Sequence, residues 1–183
     1  QKLVILDVER DAGSSLAAEL DRLDLPTMPG LFRKGVMACT GIEFCKLAIV
    51  ETKGRARWLA EELDRRLPGF DEEIRVHVNG CPNSCARFQV ADIGLMSALA
   101  KRPDGTRSDA FLVHLGGGFG DGSGFGRKVK GVRVLAEESA DYVETLVRRY
   151  RARRGADAPS FGEFVRGLDD DELTAFATPE VAR

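Results

Sequence analysis

The chain opens on a run of apolar residues, Leu3, Val4, Ile5, Leu6 and Val8, which predicts a buried strand. Ser14 and Ser15 are candidate helix caps, and Leu16, Leu20 and Leu23 then recur on one helical face. The stretch LPTMPG, residues 25–30, holds two prolines and a glycine and predicts a linker or crossover loop. From Ile42 to Leu67 the pattern predicts a long helix with Leu47, Val50, Trp58, Leu59, Leu63 and Leu67 broadly on one side. Gly54 interrupts that helix, Trp58 lies in its core face, and Pro68-Gly69 ends it. Ile74, Val76 and Val78 alternate with Arg75, His77 and Asn79 as a half-buried strand should. Further strands are expected at VADIGLMSAL, AFLVHL and VKGVRVL, the first two joined by a turn at KRPDGTRSD. Residues 137–153 read as an amphipathic helix through Val143, Leu146, Val147 and Tyr150. Ser160 and Glu163 form a capping box, and an acidic terminal helix follows from Asp169.

Mixed helices and strands, with short connections beyond Asp71, predict an α+β fold rather than a doubly wound parallel one. The expected sheet is mixed and largely antiparallel, with flanking helices. A strand–helix pair of about 25 residues at the start is too little to fold alone. It is expected to complete a unit whose other strands lie upstream, and a first residue of Gln rather than Met agrees with a piece of a longer protein.

The 183 residues carry 27 Lys plus Arg against 29 Asp plus Glu, so no global positive field recruits nucleic acid. At 43% hydrophobic the chain can build a core, and no apolar run reaches the ~20 residues of a membrane span. The first ten residues do not read as a signal peptide. The charge is uneven, however: residues 127–154 hold nine Lys or Arg against four Asp or Glu. Arg148, Arg149, Arg151, Arg153 and Arg154 are either a solvated helix surface or a basic face for an anionic cofactor or acidic partner. Residues 116–131 hold eight of the 20 glycines, with no G-x-G-x-x-G in register and no GK[ST], so nucleotide-loop readings fail. Phe119 and Phe125 are candidate anchors for this segment.

All four cysteines fall in two pairs, Cys39 and Cys45 (C-x5-C) and Cys81 and Cys85 (C-x3-C). Three readings compete. Disulfides need an oxidising compartment that nothing here signals. Structural zinc favours closer spacings than C-x5-C. An iron–sulfur cluster commonly takes four thiolates. His77 and His114 sit in predicted strands, where packing is the usual role. The local context favours the cluster: Cys39 precedes the predicted helix and Cys45 would lie in its first turns, where N–H groups face bound anionic sulfur. Pro82 tightens the second pair's turn, and Asn83 and Ser84 can hydrogen-bond around the sulfurs.

ACTGIEFCKLAIVETK followed by NGCPNSCARFQVADIG resembles the two cysteine motifs of the siroheme-dependent nitrite and sulfite reductases. FLVHLGGGFGDGSGFGRKVKG and SFGEFVRG resemble that family's glycine-rich turn and closing helix, so the likeness runs from about Leu31 to Leu168. It is nearest to the ferredoxin-dependent assimilatory sulfite reductases of actinobacterial type. The family pairs two similar halves around siroheme. The resemblance implies that residues 1–30 end a ferredoxin-like half-domain with its linker. Residues 31–183 would then be the cluster- and siroheme-binding domain of the second half.

On that resemblance, Cys39, Cys45, Cys81 and Cys85 bind a [4Fe-4S] cluster, and Cys85 also bridges to the siroheme iron. Ala38, Ala48, Asn79, Asn83, Arg87, Gly116, Gly117 and Gly118 are the other expected cofactor contacts. The implied reaction is the six-electron reduction of sulfite to sulfide with electrons from ferredoxin, in the cytoplasm. Reduction of nitrite to ammonia is the alternative. A stand-alone iron–sulfur carrier and a redox-inert zinc module are the remaining readings. The anion-binding Arg and Lys residues are expected in the N-terminal half of the enzyme, so this part alone is expected to be inactive. Neither nucleic acid nor membrane is an expected partner.

Overall fold

The computed structural model describes residues 4–102, 104–120, 123–155 and 159–179. The chain divides into two compact units, Gln1–Gly30 and Leu31–Arg183.

In the first unit the expected strand is absent from the described residues. Residues 4–9 are irregular, and Val4 and Leu6 are 72% and 75% exposed. Leu3 lies outside the described residues. An apolar run alone does not make a strand without neighbours to pair with. Helix α1 (Gly13–Arg22) follows, but Ala12 rather than a serine occupies its cap position. Ser15 Oγ donates back to Ala12 O at 2.9 Å instead of capping. The helix ends where Asp24 adopts a left-handed φ of 57° and Leu25 N bonds Leu20 O.

The second unit contains a five-stranded sheet in the order β1-β2-β3-β4-β5, formed by Val36–Ala38, Val76–Asn79, Ile93–Lys101, Arg107–Leu115 and Arg127–Leu135. β3/β4 and β4/β5 are antiparallel, whereas β1/β2 and β2/β3 are parallel. The sheet is thus mixed as expected. Short helix α2 (Leu31–Gly35) and strand β1 were not legible in the hydrophobic pattern; three residues are too few to display a period of two.

Helix α3 (Lys53–Arg66) links β1 to β2. The helix expected from Ile42 therefore loses its first eleven residues: 42–52 form turns, and Cys45 is not helical. Ile42, Phe44, Leu47 and Ile49 are exposed there, so their spacing does not mark a core face.

Successive strand residues face opposite ways. One sheet face carries Val76, Val78, Ile93, Leu95, Phe111, Val113 and Leu115, all fully buried. These join the buried faces of α3 and α4 (Ser139–Arg153) in one core, and Trp58 packs against it. The other face carries the row Met37, His77, Gly94, His114 and Lys128, paired strand to strand. β2 is buried on both faces rather than half-buried, because the segment after Cys85 covers His77 and Asn79.

Helices α5 (Phe161–Gly167) and α6 (Asp170–Ala177) open on capping boxes at Ser160 and Asp169. Phe161, Phe164 and Phe176 cluster with Tyr150, which fixes both helices to α4. Glu72 gathers Tyr150 Oη, Arg154 and the Phe161 amide. Burial and the Glu72 carboxylate push the Tyr150 phenol up to about 12.

The basic stretch largely serves the fold. Arg127, Arg133 and Arg149 donate to backbone carbonyls, and Arg148 and Arg154 pair with Glu144, Glu72 and Asp71. Among the described residues no helix is long and apolar enough to cross a membrane.

Candidate metal centre

Ala38 pairs with Val78, so the parallel strands β1 and β2 end side by side. The residues that leave their carboxyl ends are Cys39, and Gly80 with Cys81. Cys39 N donates to Val78 O at 3.0 Å, and Gly80 N donates to Cys39 Sγ at 3.1 Å. Open α/β sheets bind ligands at such strand ends.

The loop after Cys39 curls back onto this point. Cys45 N bonds Gly41 O, Ala48 N bonds Cys45 O, and Ile49 N bonds Gly80 O at 2.9 Å. A Cβ on Gly80 would lie 2.8 Å from Ala48 Cβ and 3.4 Å from Cys39 Sγ. Only glycine lets the two motifs touch.

The second motif is held from the sheet. With its amide oxygen turned to satisfy both partners, Asn79 accepts from Cys85 N at 3.0 Å and Ala86 N at 3.3 Å. Ser84 and Arg87 both adopt left-handed backbone, with φ of 59° and 54°. Such non-glycine conformations cost about 1–3 kcal/mol each and need support. His77 supplies some of it: Nδ1 donates to Arg87 O at 3.1 Å. Burial pushes the His77 pKa down, against the opposing pull of this bond to Arg87 O. Phe88 packs at a tilt against His114, whose pKa burial also lowers. Ser84 Oγ donates to Gln89 Oε1, which joins the loop to the segment beyond it.

The expected site residues fall as follows. Cys39 and Cys81 are buried, Cys45 is half-buried and Cys85 is exposed; all four are free thiols. The contacts through Ala48, Asn79 and Gly80 bring both pairs to one end of the sheet. Ala38 and Ala48 are buried within that region. Asn79 is fully buried and engaged with the Cys85 loop, while Asn83 and Arg87 are exposed on it. Arg87 Nη2 reaches Met37 Sδ at 3.8 Å.

Gly116, Gly117 and Gly118 are buried at the end of β4; Gly117 lies against the segment that follows Cys85, and Gly116 against Val165 and Arg166 of α5. A Cβ on Gly117 would lie 2.4 Å from Ala91 O, and Gly126 N donates to Gln89 O at 2.6 Å. Phe125 does not anchor the glycine segment, being 78% exposed, whereas the half-exposed Phe119 ring lies under the Arg75 guanidinium at 5.3 Å; residues 121–122 lie outside the described residues. Sequence reasoning missed Thr52, Gly80, Gln89 and the supporting role of His77. The Glu51-Thr52 pair before a helix was a readable cap signal, hidden by extending that helix back to Ile42.

The donor set fits an iron–sulfur cluster. Four thiols, a backbone N–H aimed at one sulfur and small residues between the motifs suit anionic cluster sulfur. Among the described residues no three thiol, imidazole or carboxylate groups are placed to hold a single metal ion. A four-iron cluster instead takes one thiolate at each iron.

Residues 32–171 match the nitrite and sulphite reductase 4Fe-4S domain, and the chain belongs to that family. Individual relatives are more particular. The chain is 49% identical over 177 residues to sulfite reductase [ferredoxin] 1 of Mycolicibacterium paratuberculosis, covering 94% of this chain and 32% of that protein. It is 40% identical over 125 residues to the chloroplastic ferredoxin–nitrite reductase of Zea mays, covering 67% and 22%. The solved structure of the Mycobacterium tuberculosis NirA protein superposes with a TM-score of 0.85 at 42% identity, over 92% of this chain and 32% of that one. The chain thus spans about a third of the length of the mycobacterial relatives and about a fifth of the Zea mays one.

Proposed function

We propose that this chain is the cluster-bearing part of a ferredoxin-dependent assimilatory sulfite reductase of the cytoplasm. In this reading residues 31–183 are the [4Fe-4S] and siroheme domain, and residues 1–30 end a ferredoxin-like half-domain. The observation that carries it is the meeting of two cysteine motifs, 41 residues apart, where Gly80 N donates to Cys39 Sγ.

Cys39, Cys45, Cys81 and Cys85 would hold the cluster, and exposed Cys85 would also ligate the siroheme iron. Bound together, the two groups supply the one-electron transfers that take sulfite through six electrons to sulfide. The chain's own contribution is support. Asn79 and His77 fix the Cys85 loop from β2, and Gly117 braces the segment beyond it. Ala38 and Ala48 keep the space beside the sulfurs small. Anion-binding charge would come from the N-terminal half of the enzyme.

The second reading, reduction of nitrite to ammonia, is favoured by the likeness to the Zea mays protein, but at 40% against 49% identity it stands second. The test is turnover of both anions by the whole enzyme with reduced ferredoxin, alongside its visible spectrum. We expect tetrapyrrole bands and preferential sulfite turnover. Nitrite preference would select the second reading, and iron-replete protein without tetrapyrrole bands would overturn both.

A further inference from the structure

Thr52 closes the first cysteine loop and stands at the N-cap of α3, with φ −122° and ψ −39°. A threonine there ordinarily turns its hydroxyl onto a first-turn N–H. This one makes no such bond. The preceding residue does the capping: Glu51 accepts from Gly54 N at 2.8 Å and from Arg55 N at 2.9 Å. Thr52 is fully buried, donates to Cys39 O at 2.9 Å and sits 3.6 Å from Cys39 Sγ.

Resting on Cys39 as a cluster ligand, we propose that Thr52 is a positioning residue for that cluster. Its hydroxyl, freed from helix capping by Glu51, hydrogen-bonds the Cys39 sulfur when the sulfur carries metal. A thiol at Cys39 can donate to Thr52 Oγ1 while the hydroxyl donates to Cys39 O. A metal-bound sulfur carries no proton and only accepts. Its polar neighbours are the Gly80 N–H and the Thr52 hydroxyl, whose proton moves by rotation about one bond. Hydrogen bonds to ligand sulfur favour the more negative, reduced cluster and raise its potential.

The test uses the full chain loaded with ferrous iron and sulfide. Thr52→Val keeps the shape and removes the hydroxyl; Thr52→Ser keeps the hydroxyl. We expect Thr52→Val to load as the parent does. Its midpoint potential should fall by up to a tenfold change in the reduction equilibrium, about 59 mV for one electron. Thr52→Ser should stay near the parent. An unchanged potential in Thr52→Val, or an equal fall in Thr52→Ser, would overturn the proposal. Circular dichroism of the metal-free variants separates folding from tuning. If Thr52→Val unfolds, Thr52→Ala is titrated in its place. Unfolding of both assigns Thr52 to the fold and overturns the proposal. A parent chain that takes up no iron and sulfide overturns the cluster assignment itself, and this proposal with it, before any variant is compared.

Discussion

The backbone N–H of Gly80 points at the sulfur of Cys39, 3.1 Å away, and the space where Gly80 lacks a side chain is filled by Ala48. One glycine therefore joins both cysteine motifs. Gly80→Ala would force a Cβ to within 2.8 Å of the Ala48 methyl. The expected cost is about 1–3 kcal/mol of stability, together with reduced iron uptake. Adding Ala48→Gly should restore part of both. Thermal melts and iron assay of the single and double variants decide it; no rescue would mean that the two residues do not share this contact.

Asn79 spans from β2 to the Cys85 loop, and its loss would leave the Cys85 and Ala86 amides without an acceptor. Asn79→Ala should lower stability by about 1–3 kcal/mol. Amide exchange should quicken at Cys85 and Ala86 but not in β4. Uniform acceleration across the sheet would instead assign Asn79 to global stability.

His77 and His114 are both held neutral by burial, with pKa values below the ordinary 6.5. The folded chain then binds fewer protons than the unfolded one beneath that pH. Stability is full above about pH 6.5 and falls with acid, by up to ~1.4 kcal/mol per pH unit for each histidine. Urea melts of the metal-free chain between pH 7.5 and 5.5 should give this slope, and His114→Phe should reduce it. A pH-independent midpoint would contradict the assignment.

Tyr150 Oη lies 2.7 Å from Glu72 Oε2 and 2.8 Å from Pro159 O, two acceptors that share its one proton. Its phenol is pushed up to about 12, so the folded state holds a proton that the unfolded state releases near pH 10. That stability is present below pH 10 and is lost as pH rises toward 12. Tyr150→Phe should cost about 0.5–1.5 kcal/mol at neutral pH and flatten this alkaline decline in denaturant melts.

Strands β3 and β4 and helix α4 were legible from the regular recurrence of their apolar positions; β5 was legible from its valines, although Val129, Val132 and Val134 step by three and then two. That the two cysteine motifs would come together was legible from their spacing and residue type. The loop at 42–52 was not, because Leu47 and Val50 extend the apolar spacing of α3 backwards although the loop is not helical and Leu47 is exposed. β1 escaped notice for a different reason. Its pairing partner is far along the chain, and three residues carry no periodic signal. The supporting roles of His77 and Gln89 depend on left-handed backbone at Ser84 and Arg87, which no local pattern announces.

The parallel pairing of β1 with β2 also orders events in time. Cys39 and Gly80 are 41 residues apart, and closing a chain of that length costs roughly 3 kcal/mol of entropy. Long-range parallel contacts of this kind form slowly. Before α3 has docked and the crossover is complete, each cysteine pair can offer a metal only two thiolates. Iron delivery should therefore follow folding of the sheet, and a chain slowed at that crossover would leave its thiols open to oxidation.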